Sequence, residues 1–374
     1  MKHTNHLIVK ALILFIILFV INIWLPISAQ DISTKIDEFV SLYHDKLDFN
    51  GSVLVAKKGK VVFKKGYGMA NRENNIKNET ETKFRIGSIT KSFTAILIMQ
   101  LVEQKRIDLH GKLIKYLPYY RKDNGNKVTI HHLLNHSSGI PSYTSNTKLA
   151  DINLNPYPVN DFIKDFCSDD LLFEPGTDYQ YNNTGYFILG GIIEAVCGKP
   201  YEEVLKDNLL EKAGMKNTGY DHGWKLLSNW AIGYNVKSGD YSLSRKLNMS
   251  IPYSAGALYS TVEDLFLLDE AIYLGKLLSE DMMEIMFKPG IGGSAYGWFI
   301  DKTVIPGSDK ISNVISHAGK INGYNALIKR LVDEKILIVV FCNSPKAELG
   351  RMTSEIYNIL HGVPASFKIP KSIY

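Results

Sequence analysis

Apolar positions recur every three to four residues from Ile32 to His44, and this spacing predicts an amphipathic helix near the start of the chain. The pattern then changes period. From Gly51 to Gly68 it reads as a β-hairpin, with Val53, Leu54 and Val55 in one strand, Lys58-Gly59 in the turn, and Val61, Val62 and Phe63 in the other strand. Helical spacing returns at Ser88 and runs to about Gln104, carried by Phe93, Ile96, Leu97, Gln100 and Leu101. The middle, about Asp108 to Gly275, is a series of short helical patterns and loops. Val128 to Leu134, Asn160 to Cys167, Tyr186 to Val196 and Tyr201 to Ala213 are helical candidates, broken at Ser138-Gly139, Pro175-Gly176 and Gly198. Strand character comes back in Tyr296 to Ile300, Val314 to His317, Asn325 to Leu331 and Ile336 to Phe341, with a turn at Asp333-Glu334. Ala347 to His361 closes the pattern as a helix.

Strands at both ends with helices between them predict an α+β fold. One antiparallel sheet is built from both termini, helices flank it, and a mostly helical subdomain is inserted. The expected division is a single domain over 30–365, with a sheet part at about 32–107 and 276–365, a helical part at about 108–275, and a tail at 366–374. A site would lie where the two parts meet.

The first 29 residues alter the picture of where the chain works. Lys2 and Lys10 precede a nearly unbroken apolar stretch, Ala11 to Trp24, and Ile27-Ser28-Ala29 offers a small-residue cleavage site before Gln30. The segment reads as an export signal, placing the mature protein in the periplasm or outside the cell. The alternative is an uncleaved membrane anchor, but the run is short for a span and contains Asn22. The whole chain carries a net charge of +5, and losing two lysines with this segment leaves +3. That balance, without a long basic cluster, argues against a nucleic-acid partner. Cys167, Cys197 and Cys342 have no zinc spacing and do not make a disulfide framework. They read as small apolar residues, with one disulfide plus one free thiol as the alternative in an exported chain.

The candidate chemistry begins at Gly87-Ser88-Ile89-Thr90-Lys91. A serine hydroxyl needs a base before it attacks a carbonyl. A lysine three residues later on a helix shares its face, and it serves as that base once burial or nearby cations lower its pKa. Backbone N–H groups at the helix start favour an oxyanion. The bland alternative is a helix-capping serine with a surface lysine. Ser145-Asn146-Thr147-Lys148 repeats the spacing, but in a polar loop with no apolar helix to bury its lysine.

Two further stretches supply partners. Tyr181-Asn182-Asn183 precedes a glycine-bearing apolar helix, where a tyrosine oxygen can share proton transfer and an asparagine amide can hold a carbonyl or an amine. His317-Ala318-Gly319 sits on an expected strand whose small residues let substrate approach and whose edge offers an N–H. Lys237-Ser238-Gly239, in a polar turn, and Lys288-Pro289-Gly290, after a helix, are weaker candidates for this role.

Taken in order, Ser88-x-x-Lys91, Tyr181-x-Asn183 and His317-x-Gly319 resemble the motifs of the serine β-lactamase and penicillin-binding-protein superfamily. The match is to its class C β-lactamase-like branch, which includes D-alanyl-D-alanine carboxypeptidases, D-aminopeptidases and esterases. "TIHHLLNHSSGIP", "EPGTDYQYNNTGYFILG", "AGMKNTGY" and "SAGALYSTVEDL" are similar to the same branch, so the resemblance spans roughly Ile36 to His361. It implies that Ser88 forms an acyl-enzyme and that Lys91 and Tyr181 move protons. It implies that Asn183 orients substrate or Lys91, and that the N–H groups of Ser88 and Lys320 form the oxyanion hole, with His317 and Gly319 lining the substrate strand. It implies no metal or organic cofactor, and a small-molecule or peptide substrate, including cell-wall-derived material.

One departure bears on substrate. The β-lactamases of the superfamily usually open the third motif with lysine, whereas this chain has His317, which is neutral at pH 7 unless its pKa is raised. The expectation is therefore a peptidase or esterase. A β-lactamase, or a catalytically silent binding protein of the same fold, is the alternative. No Gly-x-Ser-x-Gly elbow occurs, which argues against an α/β-hydrolase triad. The acyl donor is set by cleft loops, expected at Thr144 to Pro158 and Gly219 to Ile251.

Overall fold

The computed structural model describes residues 29–366, apart from 148, 150–153, 224–226, 238 and 345–346. Residues 1–28 of the segment expected to be an export signal, and 367–374 of the expected tail, therefore lie outside the described residues. Helix α1 (Ala29–Leu47) leads into the hairpin of β1 (Gly51–Lys57) and β2 (Lys60–Tyr67). Its two turn residues, Lys58 and Gly59, both have positive φ (53° and 72°), which suits the right-handed twist of the flanking strands. The chain returns to the same sheet only at β3 (Phe299–Val304), β4 (Ile311–Ile321), β5 (Tyr324–Leu331) and β6 (Ile336–Cys342). The sheet is antiparallel, in the order β3-β4-β5-β6-β1-β2, with Gly51 opposite Cys342 and Val53 opposite Val340. This is the sheet expected from the two ends of the sequence.

The central strands are continuous apolar runs because both of their faces are covered. Val53, Val55, Ile336, Ile338 and Val340 face a layer made by α1 and the closing helix Leu349–Leu360. Leu54, Ala56, Leu337, Val339 and Phe341 face the larger core with the helix Thr90–Glu103. This helix, α2, is buried along its length from Thr90 to Leu101 and so has no polar face. Several short helices later comes α3 (Thr184–Cys197), buried from Thr184 to Ile193, which packs against α2.

The differences from the expected elements have local causes. Tyr296–Trp298 is not strand: Gly297 has a φ of 76°, and a Cβ there would lie 2.8 Å from the Lys91 carbonyl, so this segment bends over α2 and β3 starts at Phe299. The run Tyr201 to Ala213 is helical but holds a π-turn at Lys206–Leu210. Helix Val262–Tyr273 was not individually expected, and the helix expected ahead of Lys288 is Glu280–Met286; Thr261 and Ser279 cap them through the N–H groups of Asp264 and Met282. Ser88 is no helix cap: it lies in the 3₁₀ turn Gly87–Ile89 ahead of α2, and no side chain caps either segment. The three cysteines are free thiols.

Candidate active site

The 3₁₀ turn puts Ser88 one tight turn ahead of α2 and lets Lys91, in the first turn of α2, reach back to it. Lys91 Nζ lies 2.9 Å from Ser88 Oγ, 2.7 Å from Asn183 Oδ1 and 2.8 Å from the Ala255 carbonyl. The side chain is completely buried, and burial pushes its amine down to about 7. Holding a charged amine there costs on the order of 5 kcal/mol by that shift, which burial of two or three core side chains offsets. Phe93, Ile96 and Leu97 of the same helix lie in the core. The apolar helix is thus what makes the lysine a base.

The bond set fits a neutral amine. Such an amine has two N–H donors, for Asn183 Oδ1 and the Ala255 carbonyl, and one lone pair to accept the Ser88 hydroxyl proton. The Ala255 carbonyl was missed in the sequence, because a backbone acceptor leaves no trace in residue type. Its setting was visible in "SAGALYS": Ser254 Oγ donates to the Tyr186 carbonyl at 2.8 Å, fixing this turn on α3.

Tyr181 and Asn183 arrive on the segment before α3. Asn182 Oδ1 accepts the Gly185 N–H at 2.9 Å and so holds the first turn of α3, which leaves the Asn183 amide for Lys91. The Tyr181 ring is 5.1 Å from Lys91 Nζ and 4.5 Å from the ring of His136. About a third of Tyr181 faces the cleft, yet burial raises its phenol to about 12, with the Ser88 hydroxyl pulling the other way. His136 was also missed. It is buried at a φ of 61°, its Nδ1 accepts the Asn182 N–H at 3.3 Å, and burial with the Lys91 charge keeps it neutral.

The third stretch lies in β4, with His317 opposite Ile328 and Gly319 opposite Ala326. A Cβ on Gly319 would fall 1.8 Å from the Ile86 carbonyl and 3.3 Å from the Ser88 nitrogen. A Cβ on Gly87, whose φ is 49°, would fall 2.8 Å from the Lys320 nitrogen. Two glycines therefore allow the turn and the strand to touch backbone to backbone, and the amides of Ser88 and Lys320 lie on either side of that contact. His317 is buried, and its Nδ1 donates to the Ala318 carbonyl at 2.7 Å. Burial, then the Lys91 charge, lowers it to about 3, so it is neutral.

The competing motifs lie elsewhere. Ser145 is exposed and donates to the Ser142 carbonyl at 2.7 Å, while Lys148 is outside the described residues. Lys237 and Lys288 are exposed and line neither cleft at Ser88. Among the described residues, no group of three His, Cys, Asp or Glu side chains is placed to hold a metal ion. Two clefts meet at Ser88 and Lys320. One, of about 410 Å³, is bounded by Asn183, Tyr143 and segment 245–252; the other, of about 630 Å³, is bounded by Tyr181, Phe299, His317 and Leu349. Thr144, Leu149, Leu154 and segment 245–251, from the two loops expected to set the acyl donor, border the first.

Residues 40–359 match the family model described as Beta-lactamase. The chain belongs to the Beta-lactamase family. It is a serine hydrolase of this family's fold. The protein PbpX of Bacillus subtilis (strain 168) is 30% identical over 323 residues, covering 86% of this chain and 78% of that one. The octameric penicillin-binding protein homologue from Pyrococcus abyssi superposes with a TM-score of 0.76 at 29% identity, covering 89% of this chain and 78% of that chain. The D-amino acid amidase from Ochrobactrum anthropi SV3 shares the fold, with a TM-score of 0.73 at 22% identity over 88% of this chain and 98% of that one. Within this family the fold is the expected α+β arrangement.

Proposed function

We propose that the chain is an exported serine hydrolase that works through an acyl-enzyme on Ser88 and cleaves a small ester or a D-amino-acid peptide. The observation that carries this reading is the buried Lys91 amine, 2.9 Å from Ser88 Oγ and lowered to about 7. Neutral Lys91 takes the Ser88 proton as Oγ bonds to the substrate carbonyl carbon, and the oxyanion turns to the Ser88 and Lys320 N–H groups. When the intermediate collapses, the leaving group departs with a proton from the Tyr181 phenol, which regains one from Lys91. Water then attacks the ester on Ser88 by the reverse relay and frees the acid. Asn183 holds Lys91 and faces the substrate.

The neutral His317 favours an esterase or peptidase over a β-lactamase, because it supplies no fixed charge at that strand. Export rests on the N-terminal sequence.

The test is intact mass after brief exposure to para-nitrophenyl acetate and, separately, benzylpenicillin, on wild type and Ser88→Ala. We expect an acetyl adduct and nitrophenol release on wild type alone. An acetylated Ser88→Ala that turns over like wild type overturns the assignment. Hydrolysed penicillin over an unmodified wild-type protein restores the β-lactamase reading.

A further inference from the structure

The two clefts that meet at Ser88 differ in charge. The cleft of about 410 Å³ has Arg245, Lys246 and Lys320 along its wall and no Asp or Glu among its lining residues. Among the described residues none of these three cations forms an ion pair. The second cleft also lacks acids, and its other walls are mainly Phe299, Ala326, Leu327, Ala347 and Leu349. Its two titratable rings, His317 and Tyr181, are both neutral: burial lowers the His317 imidazole to about 3 and raises the Tyr181 phenol to about 12.

The backbone that carries Arg245 and Lys246 is held in place, and their side chains are exposed. Asn322 Nδ2, in the turn after β4, donates to the Arg245 carbonyl at 3.3 Å. Asn248 Nδ2 donates to the Asn155 carbonyl at 2.6 Å, and Asn248 Oδ1 accepts from Ser250. Just before it, the hairpin Tyr234–Lys237/Asp240–Leu243 is pinned by Tyr241, whose hydroxyl bonds Asp48 and whose ring lies 3.2 Å under the Arg72 guanidinium. Ser244 N–H, one residue before Arg245, donates to the Gly233 carbonyl at 2.9 Å. Arg245, Lys246 and Lys320 are exposed along one wall of the cleft, and three like charges so placed raise the local concentration of an anion.

Resting on the Ser88 reading, we propose that this hydrolase takes an acyl donor that carries an anionic group, a carboxylate or a phosphate. That group lies against Arg245, Lys246 and Lys320, and an uncharged apolar part of the donor lies in the cleft of Phe299 and Leu349. The scissile carbonyl sits between them, at Ser88.

The test compares kcat/KM for matched esters. On the acyl side, mono-para-nitrophenyl glutarate is set against para-nitrophenyl valerate. On the alcohol side, the butyryl esters of para-hydroxybenzoate and of para-hydroxyphenyl phosphate are set against that of methyl para-hydroxybenzoate. At least one charged ester is expected to exceed its neutral match by about 10-fold or more, falling with added salt over about 50 to 500 mM. The Arg245→Ala/Lys246→Ala variant is expected to lower that ratio to below about 3-fold, while charge-keeping Arg245→Lys retains it. The arm that responds separates carboxylate from phosphate and acyl side from alcohol side. No preference in wild type, or a preference untouched by the double variant, overturns the proposal even though Ser88 chemistry stands. If wild type turns over no ester, binding of inorganic phosphate and of glutarate by calorimetry decides. Binding weakened about 10-fold or more in the double variant supports the proposal, and no binding in wild type, or binding equal in both proteins, overturns it.

Discussion

Lys91 Nζ stands 2.9 Å from Ser88 Oγ on a side chain with no exposed surface. The same apolar burial that lets α2 pack between the sheet and the inserted helices therefore sets the base strength of the site. Removing either proton-carrying partner of Ser88 is expected to stop chemistry by a different route. Lys91→Ala removes the base, and Tyr181→Phe removes the hydroxyl. Each should lower turnover of an activated ester by at least about 10²-fold, the scale of a lost acid–base group, as read by steady-state kinetics on folded protein. Turnover unchanged in one variant would take that residue out of the relay.

The buried amine also fixes a pH dependence. Lys91 is a base only when neutral, and its folded pKa is about 7 against an ordinary 10.5. The kcat/KM should climb through pH 7 and level off above it. Stability should follow the same group. Between pH 7 and about 10.5 the unfolded lysine binds a proton that the folded one does not, so stability rises with pH by up to about 1.4 kcal/mol per unit from this residue. Below pH 7 both states are protonated and the penalty of burial is fully present. Urea melts of wild type minus Lys91→Met isolate this slope. A difference that is flat with pH would mean the amine stays charged in the fold.

Two adjacent asparagines should separate by effect. Asn182 Oδ1 accepts the Gly185 N–H and its amide donates to the Ile140 carbonyl at 3.2 Å, so Asn182→Ala should cost about 1–3 kcal/mol of stability. Asn183 Oδ1 takes the Lys91 amine, so Asn183→Ala should act mainly on turnover and on the pH midpoint. Thermal melts and pH–rate profiles of both variants, measured together, check the division.

The glycines at the turn–strand contact leave no room. Gly319→Ala pushes a Cβ onto the Ile86 carbonyl at 1.8 Å, so the strand must move away from Ser88. Activity should fall by about 10²-fold or more, the effect of losing one oxyanion donor, and the melting temperature should drop.

How much of this was legible depended on whether side chains or backbone carried the signal. The strands Gly51–Lys57 and Ile336–Cys342 were readable because two-sided burial writes itself as unbroken apolar residues, and the edge strand Lys60–Tyr67 was readable from Val61, Val62 and Phe63 after the Lys-Gly turn. Ser88, Lys91, Tyr181 and Asn183 were readable as residue types in order, and they come together in space. The apolar run of β4 was read at Val314 to His317 with Ala318-Gly319 carried on the same strand, and its full extent, Ile311–Ile321, was not readable because Ser312, Asn313 and Lys320 are polar. The Ala255 carbonyl and the Asn182 bond to the Gly185 N–H were not readable, since each depends on a backbone group whose place only the fold sets.

The pairing of Gly51 with Cys342 has a consequence for how the protein comes into being. The first strand pairs at once with β2 in its hairpin, but its other neighbour is the last strand made, so the sheet cannot close while that strand is still to be synthesised, and contacts this distant in sequence make for slow folding. Ser88 is translated early, but Gly319 and Lys320, which complete its surroundings, come near the end. The nucleophile is therefore assembled last, and an unfinished chain holds a serine without an enzyme.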